Sequence, residues 1–322
     1  MPKNMASPSP PYILQDIPGK GKGLLATRPL SPGTLLISEP PLFTTASLTN
    51  PNKIESDLAA LVKQLPKPPQ RAFLTLHNNS KGQPHPFSNI VRSNGYPLGP
   101  SSDVGGIFLE TARINHSCRP NCQHAWNAEL QRMQVHVVRR IDEGEELTLS
   151  YILGGPSEER QEFLKEYFGF SCACELCSLS GTDKRDSDAR LRKAQELDSK
   201  IGDPKRVRLT PDLALRDAYS LRLIYRDEVI HDLRLPRLYY DAFQICGMHS
   251  DLARMRVFAR RAGETRSICE GEGSEEVQRL RRLEEKPQLF ENFGCTRKWK
   301  SKEGDVPGGL GEEEFEGWLW RL

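Results

Sequence analysis

The segment ARINHSCRPNC, from Ala112 to Cys122, places an Asn-His pair directly before a cysteine, a Pro-Asn turn and a second cysteine. Taken alone, this pattern is as typical of a tight polar turn with two buried thiols as it is of a functional site. A second segment, FSCACELC, from Phe170 to Cys177, holds three cysteines within six residues. Together these two cysteine-bearing segments decide which fold the chain adopts.

The bulk composition excludes several classes of protein. The chain has 322 residues, enough for two domains, and its 45 Lys and Arg residues nearly balance its 43 Asp and Glu residues, so no nucleic-acid-binding surface is indicated. The sequence contains no run of about 18 apolar residues, so no membrane span is predicted. Residues 1–11, MPKNMASPSPP, lack the apolar centre of a secretory signal and predict a short disordered lead. We therefore expect a protein of the cytoplasm or the nucleus.

The clustered cysteines indicate a metal site, because thiols stay reduced in these compartments and disulfides are rare there. The C-x-C-x2-C cluster supplies three thiolates, which leave a tetrahedral zinc ion one ligand short. A fourth soft ligand must come from elsewhere in the chain. Zinc with four sulfur ligands has no open position, so it would hold structure and perform no chemistry. The candidates for the fourth ligand are Cys118, Cys122, Cys246, Cys269 and Cys295.

The N-terminal part of the chain has the pattern of short strands separated by turns. Strands are predicted over 12–17, 23–27 and 34–39, and a helical insert of about residues 45–92 follows, with a helix that stops at Pro66. Strands return at 133–139, where apolar and polar residues alternate, and at 147–151. This order indicates an α+β fold.

Beyond Ser180 the pattern is helical. Thr210 is predicted to cap a helix that begins at Pro211, and Ser250 to cap a later one. Short links between consecutive helices indicate an all-α domain of helical hairpins. The tail from Lys298 is expected to be poorly ordered except for its FEGWLW segment.

Four segments together resemble the successive signatures of one family, the SET-domain protein-lysine methyltransferases with a post-SET zinc site. They are GKGLLATRPLSPGTLLISE (Gly21–Glu39), RINHSCRPN (Arg113–Asn121), GEELTLSY (Gly144–Tyr151) and FGFSCACELC (Phe168–Cys177). The chain is most similar to fungal proteins of the SET-and-MYND type. No cysteine lies between Gly33 and Arg113, so we expect the MYND zinc finger to be absent.

The resemblance implies a β-rich SET domain with a pseudoknot, in which the Asn-His segment threads through a loop closed by the tyrosine-bearing strand. It implies that Asn115 and His116 bind S-adenosylmethionine. Cys122 and His124 match no ligand position and are expected to be packing or strand residues. The zinc ligands implied by the resemblance are Cys118, Cys172, Cys174 and Cys177.

Further pocket residues follow from the same resemblance. Lys22 and Gly23 occupy the Gly-rich turn that lets the backbone approach the methionine end of the cofactor, and Asn94 resembles another cofactor-contacting asparagine. Phe170 matches an aromatic residue that packs against both the cofactor and the substrate channel. Tyr151 matches the residue that contacts the cofactor and orients the lysine amine.

Phe168 departs from the pattern, because many relatives carry a second channel tyrosine at this position. Loss of that hydroxyl frees room beside the amine and removes a hydrogen bond to it. We expect this channel, formed by Tyr151, Phe168 and Phe170, to favour higher methylation states over strict mono-methylation.

The sequence thus predicts a SET domain over 1–180, with its post-SET zinc segment at 168–180, followed by an α-helical domain over 181–322. The predicted activity is transfer of methyl groups from S-adenosylmethionine to lysine in a histone or another protein. The alternative is a catalytically silent SET scaffold that serves as a protein interaction module. No nucleic-acid or membrane partner is expected.

Overall fold

The computed structural model describes residues 10–322, so the predicted disordered lead lies almost entirely outside the described residues. The chain divides into two compact units, one of residues up to 150 together with 167–170, the other of 151–166 together with 171–322. No helix among the described residues is long and apolar enough to cross a membrane. The functional boundary near residue 180 stays a prediction.

The strands lie in the first unit and form four small sheets, ordered β1-β2, β3-β9-β8, β4-β6-β5 and β7-β10. The strands are β1 Tyr12–Ile17, β2 Gly21–Ala26, β3 Leu35–Glu39, β4 Phe43–Thr44, β5 Gly95–Pro97, β6 Gly105–Ile107, β7 Asn115–His116, β8 Cys122–Asn127, β9 Arg132–Val137 and β10 Thr148–Leu149. Apart from the parallel pair of β7 and β10, neighbouring strands run antiparallel.

Helices occur both between β4 and β5 and throughout the part of the chain after β10. They are α1 Ile54–Gln64, α2 Lys67–Leu74, α3 Pro86–Asn94, α4 Ser157–Phe168, α5 Gly181–Ile201, α6 Pro204–Leu209, α7 Pro211–Asp227, α8 Arg234–Met248, α9 Leu252–Glu270, α10 Glu275–Glu285 and α11 Glu312–Trp320. Short 3₁₀ turns occur at Thr111–Arg113, Pro287–Leu289 and Glu303–Asp305.

Strand β9 lies in the middle of its sheet and is buried on both faces. Met133, Val135 and Val137 are fully buried, as the apolar alternation predicts. Gln134 and His136, which alternate with them, are buried as well. The central strand of this sheet is covered on both faces, so its polar residues do not reach solvent.

The segment between β4 and β5 folds around its own apolar cluster. Val62 of α1 and Phe73 of α2 are buried against Ile90 of α3 and Ile107 of β6. The chain leaves α1 before Pro66, as predicted, because proline disfavours a helical conformation in the residue that precedes it. This packing confirms helices in this segment.

The second unit is built largely from helices that pack on their sequence neighbours, with α8 against α9, α9 against α10 and α7 against both α5 and α8. The helix predicted at Pro211 is present, but the Thr210 hydroxyl donates back to the Arg206 carbonyl at 3.1 Å and caps nothing. The predicted cap at Ser250 is wrong: Asp251 caps α9, accepting from the Arg254 N–H. Ser250 has a φ of +66°, outside the extended region that an N-cap adopts.

The C-terminal segment is more ordered than its Gly- and Glu-rich composition predicts. Trp320 is fully buried, and its ring lies 4.8 Å from that of Phe258. Arg254 donates to the Trp318 carbonyl at 2.6 and 2.8 Å, and Trp299 is also buried. The FEGWLW segment is thus docked as expected, and the burial of Trp299 extends this order to the start of the tail; poor order in the rest of the tail stays a prediction.

An aspartate of α5 holds the start of α4. Ser157 donates to Asp188 through its backbone N–H at 2.6 Å and its hydroxyl at 2.7 Å, and Lys184 donates to the same carboxylate at 2.8 Å. Burial alone would raise the pKa of Asp188, but these hydrogen bonds and the lysine charge hold it at about 2. Ionised Asp188 thus stabilises the junction of α4 and α5.

We predict that Asp188→Asn lowers the free energy of unfolding by about 2 kcal/mol at neutral pH. A carboxylate with a lowered pKa contributes stability that is full above its ordinary pKa of 3.8 and is lost as the pH falls towards 2. Urea unfolding from about pH 7 to about pH 3 should therefore show the two proteins converging in acid. Glu196→Gln, on the exposed face of the same helix, is the control; equal losses in both variants would contradict the prediction.

Candidate active site and metal centre

The predicted Asn-His pair forms strand β7, which runs parallel to β10. Asn115 lies opposite Thr148 and His116 opposite Leu149, and the Ser117 N–H donates to the Leu149 carbonyl at 3.0 Å. Tyr151 follows β10 after a single residue. The strand that carries the pair is thus hydrogen-bonded to the strand that leads to the tyrosine, as the pseudoknot requires.

The buried carboxamide of Asn121 fastens the chain beyond β7 to β10. Its Oδ1 accepts from the Thr148 N–H at 2.7 Å, and its Nδ2 donates to the Glu146 carbonyl at 2.8 Å and the Glu145 carboxylate at 3.1 Å. Only 1% of the residue is exposed. The sequence predicts Asn121 only as part of a turn, although a buried amide needs hydrogen-bond partners and Asn121 finds them in the chain around β10.

Asn115 contacts the Gly-rich turn, which brings together two elements that are each expected to bind the cofactor. Its Nδ2 donates to the Lys22 carbonyl at 3.2 Å and to the Glu146 carboxylate at 2.8 Å. A Cβ atom on Gly23 would come within 2.7 Å of this nitrogen, so the close approach needs glycine. The ammonium of Lys22 points elsewhere, to Asp16 at 2.9 Å. Lys22 therefore contacts Asn115 through its backbone carbonyl.

Glu146 and Glu39 support this region and were missed by the sequence analysis. The other oxygen of the Glu146 carboxylate accepts from Lys20 at 2.7 Å. Glu39, at the end of β3, accepts from the Thr111 N–H at 2.6 Å and hydroxyl at 2.7 Å. Burial raises the pKa of Glu39 although these hydrogen bonds oppose it. Both acids lie within segments quoted for the family, but nothing in their spacing identifies their partners.

His116 lies between the two predicted centres. It is buried, its Nε2 lies 3.3 Å from the Cys118 Sγ, and its ring centre is 6.1 Å from that of Phe170. Phe168, the last residue of α4, is partly buried, as are Phe170 and Tyr151. Their predicted roles in a substrate channel stay predictions.

Asn94 uses its amide hydrogens within its own surroundings. It is buried at the end of α3, and its Nδ2 lies 2.7 Å from each of the His77 and Ile90 carbonyls, to which it donates. These bonds fasten the helix end to the loop before it. The predicted cofactor contact of Asn94 stays a prediction.

Four cysteines form the predicted metal centre. Their sulfur atoms all lie within 4.8 Å of one another, and three of the four residues are buried. This donor set fits a structural zinc ion, which prefers four thiolates in a tetrahedron. The four are Cys118, Cys172, Cys174 and Cys177. The fourth ligand is thus the one implied by the resemblance.

Hydrogen bonds around the cluster orient its thiols. The Cys174 N–H donates to the Cys172 sulfur at 3.4 Å, an arrangement that favours a thiolate. Gln161 of α4 holds the Cys172 backbone from both sides, accepting from its N–H at 2.9 Å and donating to its carbonyl at 2.7 Å.

The remaining candidates for the fourth ligand are engaged elsewhere. Burial raises the pKa of Cys122 to about 12, and its thiol donates to Asn121. Cys269 is buried and donates to a carbonyl, Cys246 is buried, and Cys295 is exposed. His124 packs against the Tyr96 ring at 4.9 Å. The expectation that Cys122 and His124 serve packing is confirmed.

Comparison with known proteins gives a consistent result. The SET-domain family model matches residues 21–152. The histone-lysine N-methyltransferase set5 of Schizosaccharomyces pombe is 34% identical over 280 residues, which are 86% of this chain and 84% of that protein. The human N-lysine methyltransferase SMYD2 is 29% identical over 168 residues, 50% of this chain and 34% of its own length.

Solved structures are matched more weakly. Rubisco LSMT bound to AdoMet aligns over 97% of this chain and 96% of its own, with 14% identity and a TM-score of 0.35.

We predict that Cys118→Ser lowers zinc affinity by more than the roughly 10–100-fold that accompanies loss of an outer-shell partner, because it removes one of four ligands. Metal content after dialysis against a chelator measures this. Cys122→Ser is the matched control, since its thiol is buried four residues away and outside the cluster. Equal zinc content in the two variants would contradict the assignment.

Proposed function

This chain belongs to the SET-domain family of protein-lysine methyltransferases, and on that premise we propose how its residues divide the work of methyl transfer. The chain is an S-adenosylmethionine-dependent protein-lysine N-methyltransferase. One observation carries the assignment of its active site: β7, with Asn115 and His116, is paired with β10, and Tyr151 follows β10 after one residue.

The residues around Gly23 fit the cofactor. Asn115 donates to the Lys22 carbonyl, and a Cβ atom at Gly23 would lie 2.7 Å from the same Asn115 nitrogen, so the glycine keeps the backbone of this turn close to Asn115. Asn115 and His116 would hold the cofactor there, with Phe170 beside His116 and with Asn94 and Tyr151 as further contacts. When bound, S-adenosylmethionine supplies a methyl group on a positively charged sulfur.

The chain's own residues must deliver a neutral amine to that methyl group. Lysine is protonated in water at neutral pH, so an apolar channel has to lower its pKa and exclude water while holding it in line for displacement. Phe168 and Phe170 provide the apolar walls. The Tyr151 hydroxyl orients the amine and places electron density beside the migrating methyl.

Zinc and cofactor depend on one short segment. Cys118 follows His116 after one residue, and the His116 Nε2 lies 3.3 Å from its sulfur. Loss of zinc removes one restraint on Cys118, two residues from His116, and should weaken cofactor binding. The metal therefore acts on catalysis through position, without taking part in the reaction.

The substrate is a protein lysine. The fission yeast relative is named for histone lysines, and we propose a histone tail or another exposed protein segment as the substrate here, in the cytoplasm or the nucleus. The functional division into a SET domain over 1–180 and a helical domain over 181–322 belongs to the same proposal. A radiolabelled methyl-donor assay on extract from cells that lack this protein would identify the substrate.

We predict that Tyr151→Phe lowers the rate of methyl transfer by roughly 10²–10³-fold, because it removes one oriented hydroxyl at the reacting centre. Calorimetric titration should show nearly unchanged S-adenosylmethionine binding. Tyr167→Phe, which alters a tyrosine that is 58% exposed, is the control and should retain activity. Failure of zinc-replete wild type to bind the cofactor would favour the scaffold alternative, and full activity of Tyr151→Phe would contradict the assigned role.

We predict that wild type forms di- or trimethyl-lysine and that Phe168→Tyr shifts the product towards mono-methyl-lysine, since the added hydroxyl fills the channel and bonds the amine. Mass spectrometry of the methylated substrate measures this. Phe163→Tyr, a partly exposed position on the same helix, controls for an added hydroxyl. Mono-methyl product alone from wild type, unchanged in Phe168→Tyr, would contradict the prediction.

A further inference from the structure

A buried arginine lies beside one of the four clustered cysteines. Arg160 belongs to α4, only 2% of it is exposed, and its Nη2 donates to the Cys177 sulfur over 3.7 Å. An arginine side chain stays charged at neutral pH, and burying that charge is unfavourable unless acceptors replace the lost water. The sulfur of Cys177 is one acceptor of this guanidinium.

The same guanidinium reaches the segment that follows Tyr151. Its Nη1 donates to the Gly155 carbonyl at 2.5 Å, and the Arg160 backbone N–H donates to the Pro156 carbonyl at 3.1 Å. Gly155 has a φ of +100°, and a Cβ atom there would come within 2.7 Å of the Glu159 carboxylate. One side chain therefore joins the turn at Gly155 to a cysteine of the metal centre.

The charge of the metal centre explains why a cation is favourable at this contact. Four thiolates carry more negative charge than a divalent zinc ion neutralises, so a positive donor beside one sulfur stabilises the loaded site. Arginine suits this position because its planar fork donates in two directions at once, here to sulfur and to a carbonyl. A lysine would keep the charge but would lose the fork.

We propose that Arg160 is a positioning residue that stabilises zinc at Cys177 and fastens the segment 151–155, which begins with Tyr151, to the metal centre. This inference rests on the zinc site proposed above. Arg160 neither ligates the metal nor reaches the reacting atoms, and acts through Cys177 and Gly155.

The first test is competition for zinc by a chromogenic chelator, using the full chain. Arg160→Gln should release zinc with about 10–100-fold weaker affinity than wild type. Arg160→Lys, which keeps the charge, should recover most of this loss. Lys165→Gln removes a positive charge from an exposed position on the same helix and should behave as wild type.

The second test is hydrogen exchange of residues 151–156 in zinc-saturated protein. Arg160→Gln and Arg160→Lys should both exchange faster than wild type there, because both lose the bond to Gly155, whereas Lys165→Gln should not. If Arg160→Gln fails to fold, Arg160→Lys still separates the two effects, with near-normal zinc affinity and raised exchange.

Zinc content of wild type is read first and distinguishes the possible failures. Wild type without zinc would overturn the metal site and this inference with it. If wild type contains zinc, but Arg160→Gln and Lys165→Gln release it at the same chelator concentration, the role of Arg160 is refuted while the metal site stands. Unchanged exchange over 151–156 in both Arg160 variants would likewise refute the link to Gly155.

Discussion

The buried carboxamide of Asn121 is the interaction on which the candidate site depends. It accepts from the Thr148 N–H of β10 and donates to the Glu146 carbonyl in the loop before β10. At the other end of the segment 115–121, Asn115 donates to the side chain of the same Glu146. The seven residues 115–121 are thereby fixed at both ends against β10 and the loop before it. A buried amide that lost these partners would carry the full free-energy cost of desolvation. Cys118 lies between the two fixed ends, so its sulfur is held in place for the metal.

Charge is arranged around both centres by groups outside the family signatures. Lys20 balances the Glu146 carboxylate that orients Asn115, and the pair is only partly exposed, with side-chain exposures of 36% and 15%. The guanidinium of Arg160 lies beside Cys177. In each case a side chain without contact to substrate fixes the charge and orientation of one that is assigned a functional role. The reaction chemistry is carried by few residues, and the supporting residues decide whether those few are correctly aligned.

The sequence predicts the elements of this protein better than their partners. Strands, helices and the cysteine cluster follow from periodicity and spacing, and the choice of Cys118 came from family resemblance. The sequence analysis missed Glu39, Glu146 and Arg160, because a local pattern does not show which distant backbone or sulfur atom a polar side chain will reach. The same limit explains the wrong cap at Ser250, whose positive φ is set by surrounding contacts. Tertiary contacts override local preference at these positions.

The burial of Trp320 has a consequence for the order of events during synthesis. The β-sheets of the first unit are built from residues up to 150, so their strands have all been made before the helices of the second unit follow. The core around Phe258 cannot close until residue 320 has left the ribosome. During that interval the nascent helices expose apolar surface of the kind that chaperones bind. A chain stalled before α11 would carry finished sheets beside an open helical array, and would be a substrate for quality control.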